Sequence, residues 1–221
     1  GKAFLPKAFK SQNHIAEIQG VYVPFWLFDA EADARGSYDG QVSESHREGD
    51  YRVTTTQHYD VRREGTATFA RVPVDGSSKM PDEHMDSIEP FDYSELKPFS
   101  TAYLPGFLAD RYDEDAKTCA DRAKTRIENS TAEALRQTLS EYAVVDTLEE
   151  NINVRMKKAH YTLLPVWMLH TRWKEQDFLF AMNGQTGRLI GDLPVDKGRV
   201  AAWFARIALP LMAVLIWLLY L

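Results

Sequence analysis

The chain has 221 residues, of which 44% are hydrophobic and 26% charged, a balance that is typical of folded proteins and excludes global disorder. Its net charge is −6, and because Arg199 and Arg206 are the only charged residues after Gly198, residues 1–198 hold 24 basic and 32 acidic side chains, a net −8. Such an acidic body repels phosphate backbones, which argues against nucleic acid as the main partner, and the single cysteine, Cys119, excludes an internal disulfide and a multi-cysteine zinc site.

Two similar segments set the predicted architecture. Residues 21–29 read VYVPFWLFD and residues 160–173 read HYTLLPVWMLHTRW, so that an offset of 141 superposes the Pro-x-Trp motif of residues 24–26 on that of residues 165–167. Both segments are apolar at successive positions, which predicts strands covered on both faces, and the proline in each indicates an edge, a bulge or a strand end. We interpret them as two equivalent strands that frame one domain.

An antiparallel hairpin is predicted after the first segment. Residues 30–40 are polar and predict a turn region, with a short strand returning at residues 37–44. Polar and apolar side chains then alternate over residues 51–62, which predicts a strand with one wet face. Glu64-Gly65 predicts the turn, and residues 66–72 the returning partner.

Helices and a second hairpin are predicted further along. Acidic residues precede an apolar stripe that Asn129-Ser130 interrupts, which predicts two helices at about residues 113–128 and 131–141. Residues 144–158 predict an edge strand or an exposed connector. Asn183-Gly184, between two apolar runs, is a strong signal for a β-hairpin because both residues tolerate positive φ.

These elements predict an α+β fold of mostly antiparallel sheets in one domain over residues 1–198. Two similar Pro-x-Trp strand and hairpin units are expected at about residues 15–75 and 150–194, as the trace of a duplicated β unit, with the helices at about residues 113–141 between them. A transmembrane helix is expected at residues 199–221.

The membrane span is predicted from residues 200–221, which contain one charged residue, Arg206, over a length that suits a bilayer. Aromatic residues lie near both ends of this segment, as they do at membrane interfaces. Lys197 and Arg199 precede the span, so the positive-inside tendency predicts an inner-membrane location with the domain facing the cytoplasm. The alternative is a helix buried in a protein core.

Few residues indicate chemistry. The histidines lack the short spacing of a metal site, so no metal ligand is predicted. Paired carboxylates and a histidine can perform acid–base chemistry. The candidates for it are Glu89, Asp92, Asp110 and Asp113, with His160 or His170, although helix caps and solvated turns explain the carboxylates as well. Aromatic residues are more informative, because those that remain exposed mark partner-binding surfaces. The candidates are Trp26, Phe28, Tyr103, Trp167 and Trp173.

Five ordered motifs carry a family resemblance: YVPFWLFD (22–29), IEPFDYSELKPF (88–99), AYLPGFLADRYD (102–113), LLPVW (163–167) and FAMNGQTGRLIGDLP (180–194). Together they resemble a family of uncharacterised bacterial membrane proteins described as TFIIB-type zinc-ribbon proteins. The resemblance implies a cytoplasmic domain behind an N-terminal four-cysteine ribbon, anchored by C-terminal transmembrane helices. The ribbon's cysteines are absent from this sequence, so zinc is implied only for that ribbon and no cofactor is expected here. Some relatives are similar to membrane-stress proteins with stomatin- or flotillin-like and phage-shock-type partners.

Two functions remain open. The first is a non-enzymatic, membrane-tethered adaptor or scaffold that docks a protein partner at the cytoplasmic membrane face and is compatible with a homo-oligomer. The second is a membrane-associated hydrolase or ligand-binding enzyme that uses carboxylates around residues 89–113 with His160 or His170. The lack of a nucleophile–base motif or metal spacing favours the adaptor.

Overall fold

A curled, mostly antiparallel sheet organises the computed structural model, which describes residues 15–173, 175–192 and 196–219. Its strands are β1 (Ile15–Glu48), β2 (Tyr51–Asp75), β3 (Phe107–Ala109), β4 (Val144–Trp173), β5 (Gln176–Asn183) and β6 (Leu189–Gly191). Its α-helices are α1 (Asp82–Ser87), α2 (Ala116–Gln137) and α3 (Lys197–Leu219), and 3-10 turns lie at Tyr93–Glu95 and Thr101–Tyr103. The strand order is β2-β1-β4-β5-β6, with β3 parallel to β1. The predicted α+β class is confirmed.

Strands β1 and β2 form a long hairpin that turns at Gly49-Asp50, where Gly49 has a φ of +61°. The predicted turns at residues 30–40 and at Glu64-Gly65 are therefore wrong, because both segments continue as strand. Residues 30–36 read AEADARG and look polar, but their alanines alternate onto one face, where Ala30 and Ala32 pack against Ile127 of α2. Ala30, Ala32 and Ala34 are all at most 2% exposed. A strand with one buried face of small residues gives this pattern.

Helix α2 covers one face of the three long strands. Its buried residues recur every four positions, including Cys119, Ala123 and Ile127, and Asp115 caps its start by accepting a hydrogen bond from Thr118 N at 2.8 Å. The prediction of two helices is wrong, since Asn129-Ser130 lies inside this single helix. Both residues are exposed, so the buried stripe passes beside them without a break.

The base of the sheet holds a second core on the opposite face. Val23 and Phe25 are completely buried there against Met85, Ile88 and Phe91, which come from α1 and the loop after it. This loop is tied to the β5–β6 hairpin, because the buried side chain of Asn183 donates to Ile88 O at 3.0 Å and to Pro90 O at 3.1 Å. The predicted hairpin at Asn183-Gly184 is confirmed.

The two Pro-x-Trp segments do not frame the domain as predicted but pair with each other inside the sheet, with Val23 directly opposite Leu164. Each proline lies where a neighbouring strand ends. Pro24 falls between the end of β2 and β3, and Pro165 precedes the first residue that pairs with β5. A missing backbone N–H therefore costs the ladder little at both positions. Residues 144–164 have β1 as their strand partner among the described residues, so the predicted edge strand is confirmed.

Helix α3 is the one helix in the described part of the chain that is long and apolar enough to cross a membrane. None of its most apolar 18-residue window is buried against the rest of the fold. This exposure contradicts the alternative of a buried core helix, for which the apolar side chains would be covered by protein.

Candidate docking surface

The pairing of β1 with β4 brings both Pro-x-Trp motifs to one face of the sheet. Side chains alternate along a strand, and directly opposed residues of an antiparallel pair share a face. Val23 faces the core at the base of the sheet, so its neighbours Tyr22 and Pro24 face the other side. Opposite them on β4 lie Pro165 and Leu163. The same alternation places Trp26 and Trp167 on this face, at its two ends.

Aromatic rings cover this face in two groups. Trp26 lies 5.2 Å from Tyr161 and 5.3 Å from Tyr112, and the two tyrosine rings are 5.4 Å apart. Phe107 bridges the other end, 5.2 Å from Trp167 and 5.0 Å from Tyr22. We call these six residues the aromatic platform: Tyr22, Trp26, Phe107, Tyr112, Tyr161 and Trp167.

The platform lies beside α2 and is partly open to solvent, because Trp26 packs against the cluster beneath this helix while the other five rings are not part of that cluster. Tyr161 is 44% exposed and Tyr112 is 37% exposed, while the other four rings are half-buried. Partial burial, together with the neighbouring Tyr112, raises the pKa of the Tyr161 phenol above its usual value. The Tyr161 phenol therefore stays neutral at physiological pH, as a hydrogen-bonding group on an apolar surface.

Local contacts hold the rings in place. The indole N–H of Trp26 donates to Glu114 O at 3.0 Å, and Gly76 packs closely against the same indole. A Cβ at Gly20 would come within 2.5 Å of the Phe107 ring, so only glycine leaves room for this ring to lie flat on β1. Rings that are fixed before a partner arrives lose little conformational entropy when it binds.

The predicted partner-binding residues fall into different places. Trp26 and Trp167 belong to the platform, and Tyr103 is exposed in a 3-10 turn that precedes β3. Phe28 is 3% exposed and packs beneath α2 against Val74 and Cys119, so its side chain belongs to the core. Trp173 ends β4, and its side chain lies outside the part of the chain that the structure describes.

Four platform residues were not predicted. Tyr22 and Tyr161 alternate in sequence with Trp26 and Trp167, so strand periodicity alone contained the signal for them. Phe107 begins β3 and Tyr112 lies in the loop between β3 and α2, and no local pattern shows that this segment folds onto β1.

A cluster of charged side chains ties helices α1 and α2 to the end of β2. Asp75 is fully buried, and its Oδ1 lies 3.1 Å from Arg122, which also pairs with Asp82 of α1 at 2.9 Å. Arg126 pairs with Glu89 at 2.6 Å, which fastens the loop after α1 to α2. These contacts give the cluster a structural role in joining α1 and α2.

Burial raises the pKa of Asp75 to about 6, and the nearby carboxylates of Asp82 and Asp86 add to this, against the opposing effect of Arg122. The unfolded-state value is 3.8, so the folded chain binds an extra proton between about pH 4 and pH 6. The contribution of this carboxyl to stability is therefore full below pH 4 and is lost as the pH rises through 6.

We predict that Asp75→Asn flattens the pH dependence of the unfolding free energy between pH 4 and pH 6. The wild type should lose up to about 3 kcal/mol of stability from this group across that window, since one pKa unit corresponds to about 1.4 kcal/mol. Urea unfolding in detergent, followed by tryptophan fluorescence, measures the difference. Asp60→Asn, at an exposed site on β2, is the matched control and should leave the slope as it is. Equal slopes in the wild type and Asp75→Asn would contradict the prediction.

The carboxylates proposed for catalysis are engaged in separate structural contacts. Glu89 is paired with Arg126, and Asp92 accepts from Ser94 N at 2.8 Å as the cap of a 3-10 turn. Asp113 accepts hydrogen bonds from Ser78 N at 2.8 Å and from Ser78 Oγ at 2.6 Å. Each contact fixes a loop.

Asp110 and His170 are the two catalytic candidates that share a concavity, a shallow groove between β3 and β4. Burial pushes the pKa of Asp110 upward, but hydrogen bonds from Lys79 and Ser77 outweigh it and hold this pKa below its usual value. His160 lies elsewhere, with Nε2 3.2 Å from Asp29 Oδ2. A carboxylate that its neighbours keep ionised is a poor general acid, although it is in the form that a general base requires.

Comparison with known proteins finds a bacterial relative of this chain. No family model matches this chain, and no solved structure matches it. The chain is similar to the uncharacterized protein YdjG of Bacillus subtilis (strain 168), with 38% identity over 203 residues. This match covers 92% of the chain but only 60% of YdjG, so the chain spans less than two thirds of the length of that relative.

Proposed function

We propose that the chain is a non-enzymatic, membrane-tethered adaptor that docks a protein partner at the cytoplasmic face of the membrane through the aromatic platform. The observation that carries this proposal is the platform itself, a rigid and half-exposed aromatic surface on a domain that continues into an exposed apolar helix. A soluble protein rarely leaves either feature uncovered.

The composition of the platform suits protein recognition. Tryptophan and tyrosine contribute most of the binding energy at many protein interfaces, because each buries a large apolar area and keeps a polar group available for hydrogen bonding. The pseudo-symmetric placement of Trp26 and Trp167 at its ends gives a partner two anchor points. Both tryptophans are fixed by neighbouring rings, which reduces the entropic cost of binding.

The tether in this proposal is α3, with its N-terminal end on the cytoplasmic side. Lys197 and Arg199 lie in the first turn, and Arg206 is the last basic residue of the helix, which is the distribution that the positive-inside tendency describes. An arginine within an apolar helix extends its side chain toward the headgroups, so Arg206 is compatible with a span that begins near this level.

The family resemblance suggests the class of partner. We propose a membrane-associated protein of the stomatin- or flotillin-like or phage-shock type, which would assign the chain a role in membrane stress. We propose as well that the chain is a member of the zinc-ribbon family and that its two Pro-x-Trp units arose by duplication of one β unit. In support of duplication, the 141-residue offset superposes Val23 on Leu164, which oppose each other in the sheet, and each strand continues into an antiparallel neighbour.

Co-purification from detergent extracts tests the platform. We expect Tyr161→Ala combined with Tyr112→Ala to reduce recovery of the partner at least tenfold, because each ring is exposed enough to contact it. Tyr51→Ala is the matched control, since Tyr51 is 79% exposed at the hairpin tip far from the platform, and it should leave recovery unchanged. Equal recovery with both variants, at unchanged stability, would show that the platform does not dock the partner.

A further inference from the structure

The outer edge of β4 carries backbone groups that no strand pairs within the described residues. Strand β5 pairs with β4 from Val166 onward, and Gly184 N donates to Pro165 O at 2.8 Å, but residues 144–164 have β1 on one side alone. About every second residue of such an edge directs its N–H and C=O outward. An edge of this length is a template for pairing with another strand.

Charge along this edge is divided into an acidic half and a basic half. The acidic residues Asp146, Glu149 and Glu150 come first along β4, and the basic residues Arg155, Lys157 and Lys158 follow. Scattered lysines on an edge usually prevent strand addition. The charges of β4 do not prevent it, because the acidic half of one copy lies opposite the basic half of a second copy that runs in the opposite direction.

We propose that two copies of this chain associate through antiparallel pairing of their β4 edges about a two-fold axis near Ile152. With Ile152 at the axis, Glu149 of one copy lies opposite Arg155 of the other. Opposed residues of an antiparallel pair share a face. Both side chains occupy the face that α2 leaves open, since Arg155 contacts Asp33 there at 2.6 Å and Glu149 is exposed.

The β2 edge does not offer the same complementarity. Its central residues are Arg62 and Arg63, flanked by Asp60 and Glu64. Antiparallel self-pairing about these arginines would bring like charges together at the axis, which is destabilising. Parallel self-pairing of β4 would likewise set each half against its own charge. The order of charges therefore favours one edge and one direction.

The shared sheet would have six long strands with an α2 helix from each copy on the same face. Because the paired β4 strands run in opposite directions, the two α3 helices leave from opposite ends of this sheet. Both can enter one bilayer only if the strands lie along the membrane surface. With Ile152 at the axis, the pairing extends from residue 144 to residue 160 and ends before Tyr161 of the platform, so this association is distinct from partner docking.

Charge-reversal substitutions at Glu149 and Arg155 test the proposal. The oligomeric mass of each purified full-length variant is measured in detergent by sedimentation. We expect the wild type to be a dimer, and Glu149→Arg or Arg155→Glu alone to weaken its dissociation constant at least tenfold through like-charge contacts. An equimolar mixture of the two variants should restore the dimer as a heterodimer, because each arginine then faces a glutamate. The double variant Glu149→Arg with Arg155→Glu should also dimerise.

The control is Arg62→Glu on the β2 edge, at a side chain that is 82% exposed, and it should leave the dimer unchanged. A monomeric wild type would overturn the proposal. A dimer that both single variants leave intact would overturn it as well, as would one that Arg62→Glu weakens equally. Partner recovery through the platform is measured separately, so either result leaves the proposed adaptor function testable.

Discussion

Replacing Phe25 with alanine should lower the free energy of unfolding by about 3–5 kcal/mol, the usual cost of removing a buried aromatic side chain. Phe25 is completely buried at the base of β1, and its ring lies 5.8 Å from that of Phe91 in the loop after α1. The cavity would open beneath the platform, on the opposite face of the same strand. Urea unfolding of the full chain in detergent, followed by tryptophan fluorescence, measures the change.

Phe99→Ala is the matched control, since Phe99 is 66% exposed and its removal should change stability by no more than about 0.5 kcal/mol. Equal effects of the two substitutions would show that the base of the sheet is not the core of the domain. The Pro-x-Trp strands would then lack the support that orients the platform.

Ending the chain at Gly198 should transfer the protein from the membrane fraction to the soluble fraction almost completely. This truncation removes nearly all of α3, whose most apolar window has no buried residue in the fold. A helix of about 20 apolar residues stabilises membrane insertion far more than surface contacts do. Because no residue of that window is buried in the fold, we expect the truncated domain to keep its unfolding midpoint. Fractionation of cell extracts with immunodetection measures the distribution.

An unrelated transmembrane helix in place of α3 is the control for the truncation. It should return the domain to the membrane fraction, since α3 acts in this account by its apolar length. If the truncated chain instead stayed in the membrane at the wild-type level, another surface of the domain would hold it there and α3 would not be the tether.

Features that depend on local chemistry were predictable from the sequence. Asn183-Gly184 specifies its hairpin because the turn is made by adjacent residues, and α3 is evident from a long apolar run in which Arg206 is the single charge. The continuity of β1 was missed because residues 30–36 are small or charged, although their alternation is that of a strand. The single α2 was missed because Asn129-Ser130 lowers helix propensity, while the buried stripe on the far side of the helix continues past it.

The candidate site was only partly predictable because tertiary pairing assembles it. The sequence indicates two similar Pro-x-Trp segments, but not that Gly20 lies opposite Trp167 or that Tyr161 lies opposite Trp26. Phe107 reaches the platform only because β3 runs parallel to β1 where β2 has ended. Sequence pattern alone also does not show that α2 buries the side chain of Phe28 but leaves those of Trp26 and Trp167 partly exposed.

Photo-crosslinking in native membranes tests most directly the claim that the aromatic platform docks a protein. A photoreactive amino acid at Tyr161 should give one dominant crosslinked product with a second protein when membranes are irradiated, because this position lies inside the docking surface. The same amino acid at Tyr51, on the hairpin tip, should give none. Crosslinking to a partner from Tyr51 but not from Tyr161 would contradict the account.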